Sequence, residues 1–196
     1  MPCRCEIETM AEALGRVRAE SDEVLYAEGP IIKVTARDLC ILKERAMRNP
    51  RQRIRLCAHR TIEDSIHEML IVHTRQTYVR PHKHVTKWES FHVIEGMADV
   101  VVFDEEGAIV EVSRIGDYQS GQQFYYRTQV SAFHTLLIQS DCLIFHETTN
   151  GPFRKAGTMF PAWAPEDHDT RAVERFLSLL GQRVESFRSR QGKVEP

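Results

Sequence analysis

Residues 80–96 read RPHKHVTKWESFHVIEG. His82 and His84 stand one residue apart, Glu89 follows five positions after the second histidine, and Gly96 closes the run. On a strand, side chains at i and i+2 share a face, so the two imidazoles project side by side. Both suit a borderline divalent metal, and Glu89, opening the next strand across a bend, can add an oxygen donor. Gly96 permits a turn that a bulkier side chain would strain. These polar residues interrupt sequence that otherwise reads as strand, and a metal site inside a small β-barrel accommodates both features. A fourth donor must come from elsewhere, and His134 in AFHTLLIQ is the best placed. Three nitrogens and one carboxylate oxygen leave one or two positions open on a five- or six-coordinate metal. A catalytic site keeps such positions and a structural one closes them.

Short β-rich runs with turn punctuation extend from Arg53 to about Thr148. RIRLCAH (53–59), HEMLIVHT (67–74), ESFHVIE (89–95) and ADVVVFD (98–104) come first. IVEVSRI (109–115), QFYYRT (123–128), AFHTLLIQ (132–139) and CLIFHET (142–148) follow. Asp104-Glu105-Glu106-Gly107 reads as a hairpin turn, and Ser140-Asp141 as another tight turn. Strands at even spacing with no helix between them predict a sandwich or barrel.

Helices are expected outside this core. Ile7, Met10, Ala11, Leu14 and Val17 fall at helical spacing. A second helix is predicted from Thr35, whose hydroxyl can cap the turn while Asp38 suits the positive end. Asn49-Pro50 stops it after Arg48. Val173, Phe176, Leu177, Leu180, Val184 and Phe187 trace one face of a helix from about Thr170 to Ser189, docking on the barrel or on a second subunit. Arg183, Arg188, Arg190 and Lys193 suit its negative end. The expected organisation is an N-terminal helical extension (1–50), a barrel (51–153), and an irregular segment with the C-terminal helix (154–196).

Composition is that of a soluble globular protein. Lys and Arg number 26 against 28 Asp and Glu, and the net charge of -2 provides no broad field for nucleic acid or a membrane. No run of about 18 apolar residues predicts a membrane-spanning helix, and MPCRCEIETMAEALG carries no long apolar stretch of a signal peptide. Five scattered cysteines (Cys3, Cys5, Cys40, Cys57, Cys142) read as reduced thiols of a cytoplasmic protein.

The spacing His82-x-His84, four residues, Glu89, six residues, Gly96 resembles the first cupin motif, with Gln76 where a glycine normally opens it. His134 matches the histidine of the second motif, although the usual Pro-x-Gly before it and Asn after it are absent. A longer resemblance covers roughly residues 48–165. The segments NPRQRIRLCAH, HEMLIV, YVRPHKH, KWESFHVIEG, FYYR, HTL, HETTNGPF and WAP resemble the WbuC family of cupin-fold metalloproteins. This implies a mainly β fold: a single cupin (double-stranded β-helix, jelly-roll) barrel holding one divalent transition metal, Fe, Mn, Ni or Zn. Some members of that family sit in surface-polysaccharide gene clusters, which implies polysaccharide biosynthesis. The pairing of cupin barrels implies a homodimer.

Further residues are candidates for the surroundings of the metal. Arg51, Arg53 and Arg55 alternate, so an extended segment would align three guanidiniums as an anion clamp or as a salt-bridged edge. His59 continues that row, and Arg80 and Lys87 could share its wall. Tyr78 and Tyr126 are candidate lining residues, Tyr78 with a catalytic role. His146 and Glu147 are acid/base candidates, of which one must face inward. His92 has no supporting spacing, and His67 and His168 are expected to be surface or structural residues. The leading functional expectation is a metal-dependent enzyme acting on a small anionic, sugar-like metabolite, by isomerisation or epimerisation. Fe(II)-dependent oxygen chemistry and a non-catalytic, metal-stabilised binding module are alternatives.

Overall fold

The computed structural model describes residues 14–129 and 131–191, and its main strands follow the apolar, β-branched runs of the sequence. Two short strands, β1 (Val17–Ala19) and β2 (Val24–Ala27), precede helix α1 (Ala36–Arg48). Then come β3 (Arg53–Cys57), β4 (Ile66–Thr74), β5 (Lys83–His84), β6 (Glu89–Glu95), β7 (Met97–Phe103) and β8 (Ile109–Gly116). The chain continues through β9 (Tyr125–Thr128), β10 (Phe133–Ile138), β11 (Cys142–Asn150) and β12 (Thr158–Met159) to helix α2 (Thr170–Gln191).

A seven-stranded sheet, β1-β2-β3-β4-β11-β6-β9, faces a three-stranded sheet, β10-β7-β8. A small β5-β12 pair lies at one end. The order 4-11-6 places late strands between early ones, which is the winding of a double-stranded β-helix. The core between the two sheets holds Met69, Ile71, Phe91 and Phe145 from one side and Val100, Ile115 and Leu136 from the other.

Alternation on β3 separates two environments. Ile54 and Leu56 turn outward onto Leu42 and Ala46 of α1, while Arg53, Arg55 and Cys57 turn toward the barrel interior. Helix α1 begins as predicted: the Thr35 hydroxyl accepts from Asp38 N, and the Asp38 carboxylate accepts from Thr35 N. Such a cap contributes about 1 kcal/mol. Helix α2 lies on the outer face of the small sheet, burying Leu180 and Val184 against Val101, Phe103 and Phe133. That part of its apolar stripe is therefore covered by its own barrel.

The helix predicted through Leu14 and Val17 does not extend there. Leu14 and Gly15 take positive φ (79° and 54°), which ends a right-handed helix, and Val17 opens β1. The N-terminal extension is thus partly strand, and it enlarges the main sheet. Ile7, Met10 and Ala11, with Cys3, Cys5 and Lys193, lie outside the described residues. Among the described residues no helix is long and apolar enough to cross a membrane.

Candidate metal centre and cavity

Three short elements bring the predicted donors together. His82 and His134 exchange backbone hydrogen bonds at 3.0 and 2.9 Å, which closes the barrel at this point. His84 lies in β5, paired across from Thr158 of β12. Glu89 opens β6, between Thr149 of β11 and Thr128 of β9. One donor atom from each of His82, His84, Glu89 and His134 lies within 4.8 Å of the others, so the cluster could hold a metal ion.

Each ring is oriented from behind. Nδ1 of His82 donates to the Arg80 carbonyl at 2.8 Å, and Nδ1 of His134 donates to the Ala132 carbonyl at 3.0 Å. In the neutral rings, the form that binds a metal, those bonds leave Nε2 as the lone-pair nitrogen, whereas protonated His134 donates its Nε2–H to Glu89. Thr158 Oγ1 lies 3.2 Å from Nδ1 of His84. Nε2 of His84 and of His134 reach the two Glu89 carboxylate oxygens at 2.8 and 3.3 Å. A buried carboxylate with three converging imidazoles is a donor set that fits a first-row divalent cation.

The local electrostatics follow from burial and proximity. Burial alone would raise the Glu89 carboxyl, but the hydrogen bonds from His134 and His84 outweigh it and hold the group below the usual carboxylate range. Burial, reinforced by neighbouring His134, pushes His82 down to about 4. For His134 the burial effect is outweighed by Glu89, and its pKa is raised.

The cluster opens into a cavity of about 430 Å³ inside the barrel. Glu147 lines this cavity while His146 does not: His146 turns to the opposite face, 3.9 Å from Glu68. The sequence left that choice open. Glu147 is half-buried on the cavity wall. Burial and then the charge of Glu89 raise its carboxyl to about 8. Arg53, Arg55, His59 and Lys87 also line the cavity. Lys87 sits 4.9 Å above the Phe153 ring, and burial lowers its pKa.

Other candidates lie elsewhere. Arg51 does not continue the row of Arg53 and Arg55, because Gln52 takes φ 56° and breaks the extended chain between them. Arg51 instead pairs with Asp167 and Glu23 beside α2. Arg53 is paired with Glu23 at 2.8 Å. Tyr78 donates to the Pro165 carbonyl at 3.0 Å and packs on Phe176, in a groove separate from the cavity. Arg80 binds Glu166 at 2.6 Å and lies over Phe160, so its carbonyl rather than its guanidinium serves the centre. Tyr126 stacks behind Phe91, outside the cavity lining.

Two further histidines, neither assigned to the site from the sequence, line the cavity. His67 is buried, not on the surface, and stacks on His59 at 4.1 Å with 5° between the rings. His73 is buried on the cavity wall with Nδ1 unpartnered. Its alternation on β4 was the available signal: His67, Met69, Ile71 and His73 share the inward face.

Fold and donor set together define a cupin-like β-barrel with a possible metal site. Over residues 34–115 the chain matches a family model described as a domain of unknown function, DUF6016. No curated protein matches it. Among solved structures it is similar to a Shewanella oneidensis protein at 8% identity and TM-score 0.46, over 54% of this chain and 72% of that one. An uncharacterised Klebsiella pneumoniae protein with a double-stranded β-helix domain shows 14% identity and TM-score 0.43, over 56% and 79% of the two chains. An oxalate decarboxylase from Lactobacillus farciminis shows 18% identity and TM-score 0.38, over 50% of this chain but only 27% of that one.

Proposed function

We propose that this protein is a metal-dependent cupin enzyme that moves a proton on a small anionic metabolite, with Glu147 as the proton carrier. The observation that carries the reading is the union of a four-donor cluster with an open cavity and an inward carboxyl. Glu147 pairs across β11 and β6 with Phe91, one inward position from the pairing of Thr149 with Glu89. A divalent metal held by His82, His84, Glu89 and His134 would supply Lewis-acid polarisation of a substrate oxygen. The chain's own residues do the rest. Glu147 is placed to exchange a proton with bound substrate, Lys87 and Arg55 supply positive charge, and the barrel excludes bulk water. A cavity left open beside the cluster favours an enzyme over a sealed, metal-stabilised module. The resemblance to the WbuC family adds isomerisation or epimerisation of a sugar-like metabolite as the reaction class.

The test has two parts. Protein purified without added metal is assayed for metal content, and His84→Ala is expected to lose stoichiometric binding. Small hydroxy and keto acids are then incubated with metal-loaded protein in D2O. Glu147→Gln is expected to keep the metal and lose deuterium incorporation by about a hundredfold or more. Full metal occupancy in His84→Ala, or undiminished exchange in Glu147→Gln, would overturn the assignment.

A further inference from the structure

The inward positions of the large sheet fall into rows. Glu89 stands in the first, with Thr149 across the sheet, and Glu147 in the second. The third aligns Phe145, Ile71 and Arg55, and the fourth pairs His73 with Arg53. Same-face positions repeat about every 6.6 Å, so Arg55 lies roughly 13 Å along the strands from Glu89. The cavity is therefore polar at the donor cluster, lined by apolar side chains with the single carboxyl of Glu147 in its middle, and rich in nitrogen at its far wall.

That far wall holds groups without partners. Arg53 is neutralised by Glu23 at 2.8 Å, but Arg55 forms no ion pair among the described residues. Beside it, His73 is buried with Nδ1 unpartnered. Arg55 and His73 line one cavity, and the partly exposed guanidinium beside that buried nitrogen is an unmatched positive charge that a ligand anion would meet. Between Arg55 and the cluster stand Met69, Phe91 and the Glu147 carboxyl, and Ile71, Phe145 and Leu136 continue the apolar part of the wall beside Arg55.

We propose that the far wall seats a ligand carboxylate, held by Arg55 with His73 beside it, and that the ligand's body is short and apolar rather than polyhydroxylated. One guanidinium and a neutral imidazole balance a single negative charge, which favours a carboxylate over a phosphate dianion. The proposal rests on reading the cavity as the substrate site, and within small anionic metabolites it selects an apolar acid, whose other end reaches the donor cluster, in place of a sugar-like one.

Calorimetric titration of the full-length, metal-loaded protein tests this with butyrate, hexanoate, hexan-1-ol, glucuronate and inorganic phosphate. Hexanoate is expected to bind tightest, gaining about threefold to fourfold per methylene over butyrate. Hexan-1-ol should bind at least tenfold more weakly. Arg55→Met, at a partly exposed position, should weaken hexanoate tenfold or more without changing metal content. His73→Phe should weaken hexanoate and leave hexan-1-ol unchanged. Tighter binding of glucuronate or phosphate, or hexanoate binding indifferent to Arg55→Met, would overturn the proposal. Arg55-dependent hexanoate binding in a protein without proton-exchange activity would support it while sinking the enzymatic reading. Exchange activity in a protein that ignores carboxylates would do the reverse.

Discussion

His82 and His134 each donate Nδ1–H to a backbone carbonyl, at 2.8 and 3.0 Å, whereas Nδ1 of His84 faces only the Thr158 hydroxyl at 3.2 Å. The third ring therefore depends on one side chain of the short β12. Thr158→Val keeps the shape and removes the hydroxyl, and metal affinity is expected to fall about tenfold. Chelator competition measures this, and unchanged affinity would show that the β5–β12 backbone alone orients His84. Gly96 is constrained in a different way. Its φ is 87°, and a methyl group there would run into the Cys142 carbonyl and the Ser140 hydroxyl. Gly96→Ala should cost at least about 1–3 kcal/mol from backbone strain alone, read as a lowered urea midpoint with the metal-binding stoichiometry unchanged in the folded fraction.

At the scale of elements, α2 is fastened to the barrel by one buried carboxylate. Asp99 of β7 accepts from Arg114 of β8 at 2.9 Å, from Arg188 of α2 at 2.5 Å, and from Gln139 at 2.8 Å. Asp99→Ala is expected to cost about 3 kcal/mol, because both guanidiniums lose their partner at once. Equilibrium unfolding would show it, and a loss under 1 kcal/mol would mean that Leu180 and Val184 hold the helix unaided. This anchor was not legible in the sequence, because an acid inside MADVVVF carries no local sign of the arginines that reach it. The main strands, by contrast, were legible as β-branched and aromatic runs between turn signals, even where α1 or α2 covers the outer face and β7 is buried on both sides. The cap of α1 was legible because Thr35 and Asp38 satisfy each other within four residues. The two-residue β12 was missed, being too short to show a period, while the strand reading of His82-x-His84 agrees with β5. His82, His84 and Glu89 were legible from spacing and His134 from its later strand and its match to the second motif. Tyr78 and Arg80 were misplaced because their partners, Pro165 and Glu166, lie far along the chain. Arg51 was misplaced because the positive φ of Gln52 is a backbone fact that no alternation reveals.

Across the whole molecule, the barrel interior combines ionised and neutral groups that acid should disrupt together. Burial, with Arg53 and Arg55 close by, pushes His73 from its ordinary 6.5 to about 3. Between those values the unfolded chain binds a proton that the folded protein excludes. Stability from this group is therefore complete above about pH 6.5 and declines as the pH falls toward 3. His82, pushed down to about 4 by burial and by His134, and Glu89, held ionised by its histidines, shift stability in the same direction. Inside the window each such group contributes a slope of about 1.4 kcal/mol per pH unit. Glu147, raised to about 8, acts in the opposite direction between that value and its ordinary 4.5. Urea unfolding should therefore lose stability below pH 6.5 at the combined slope of His73 and His82 less that of one carboxyl. His73→Phe retains an aromatic ring against Phe145 and removes one titrating group, so its profile should be shallower by roughly that slope. Parallel profiles for the two proteins would mean that His73 is protonated without penalty, and that the far wall of the cavity already contains a counter-charge.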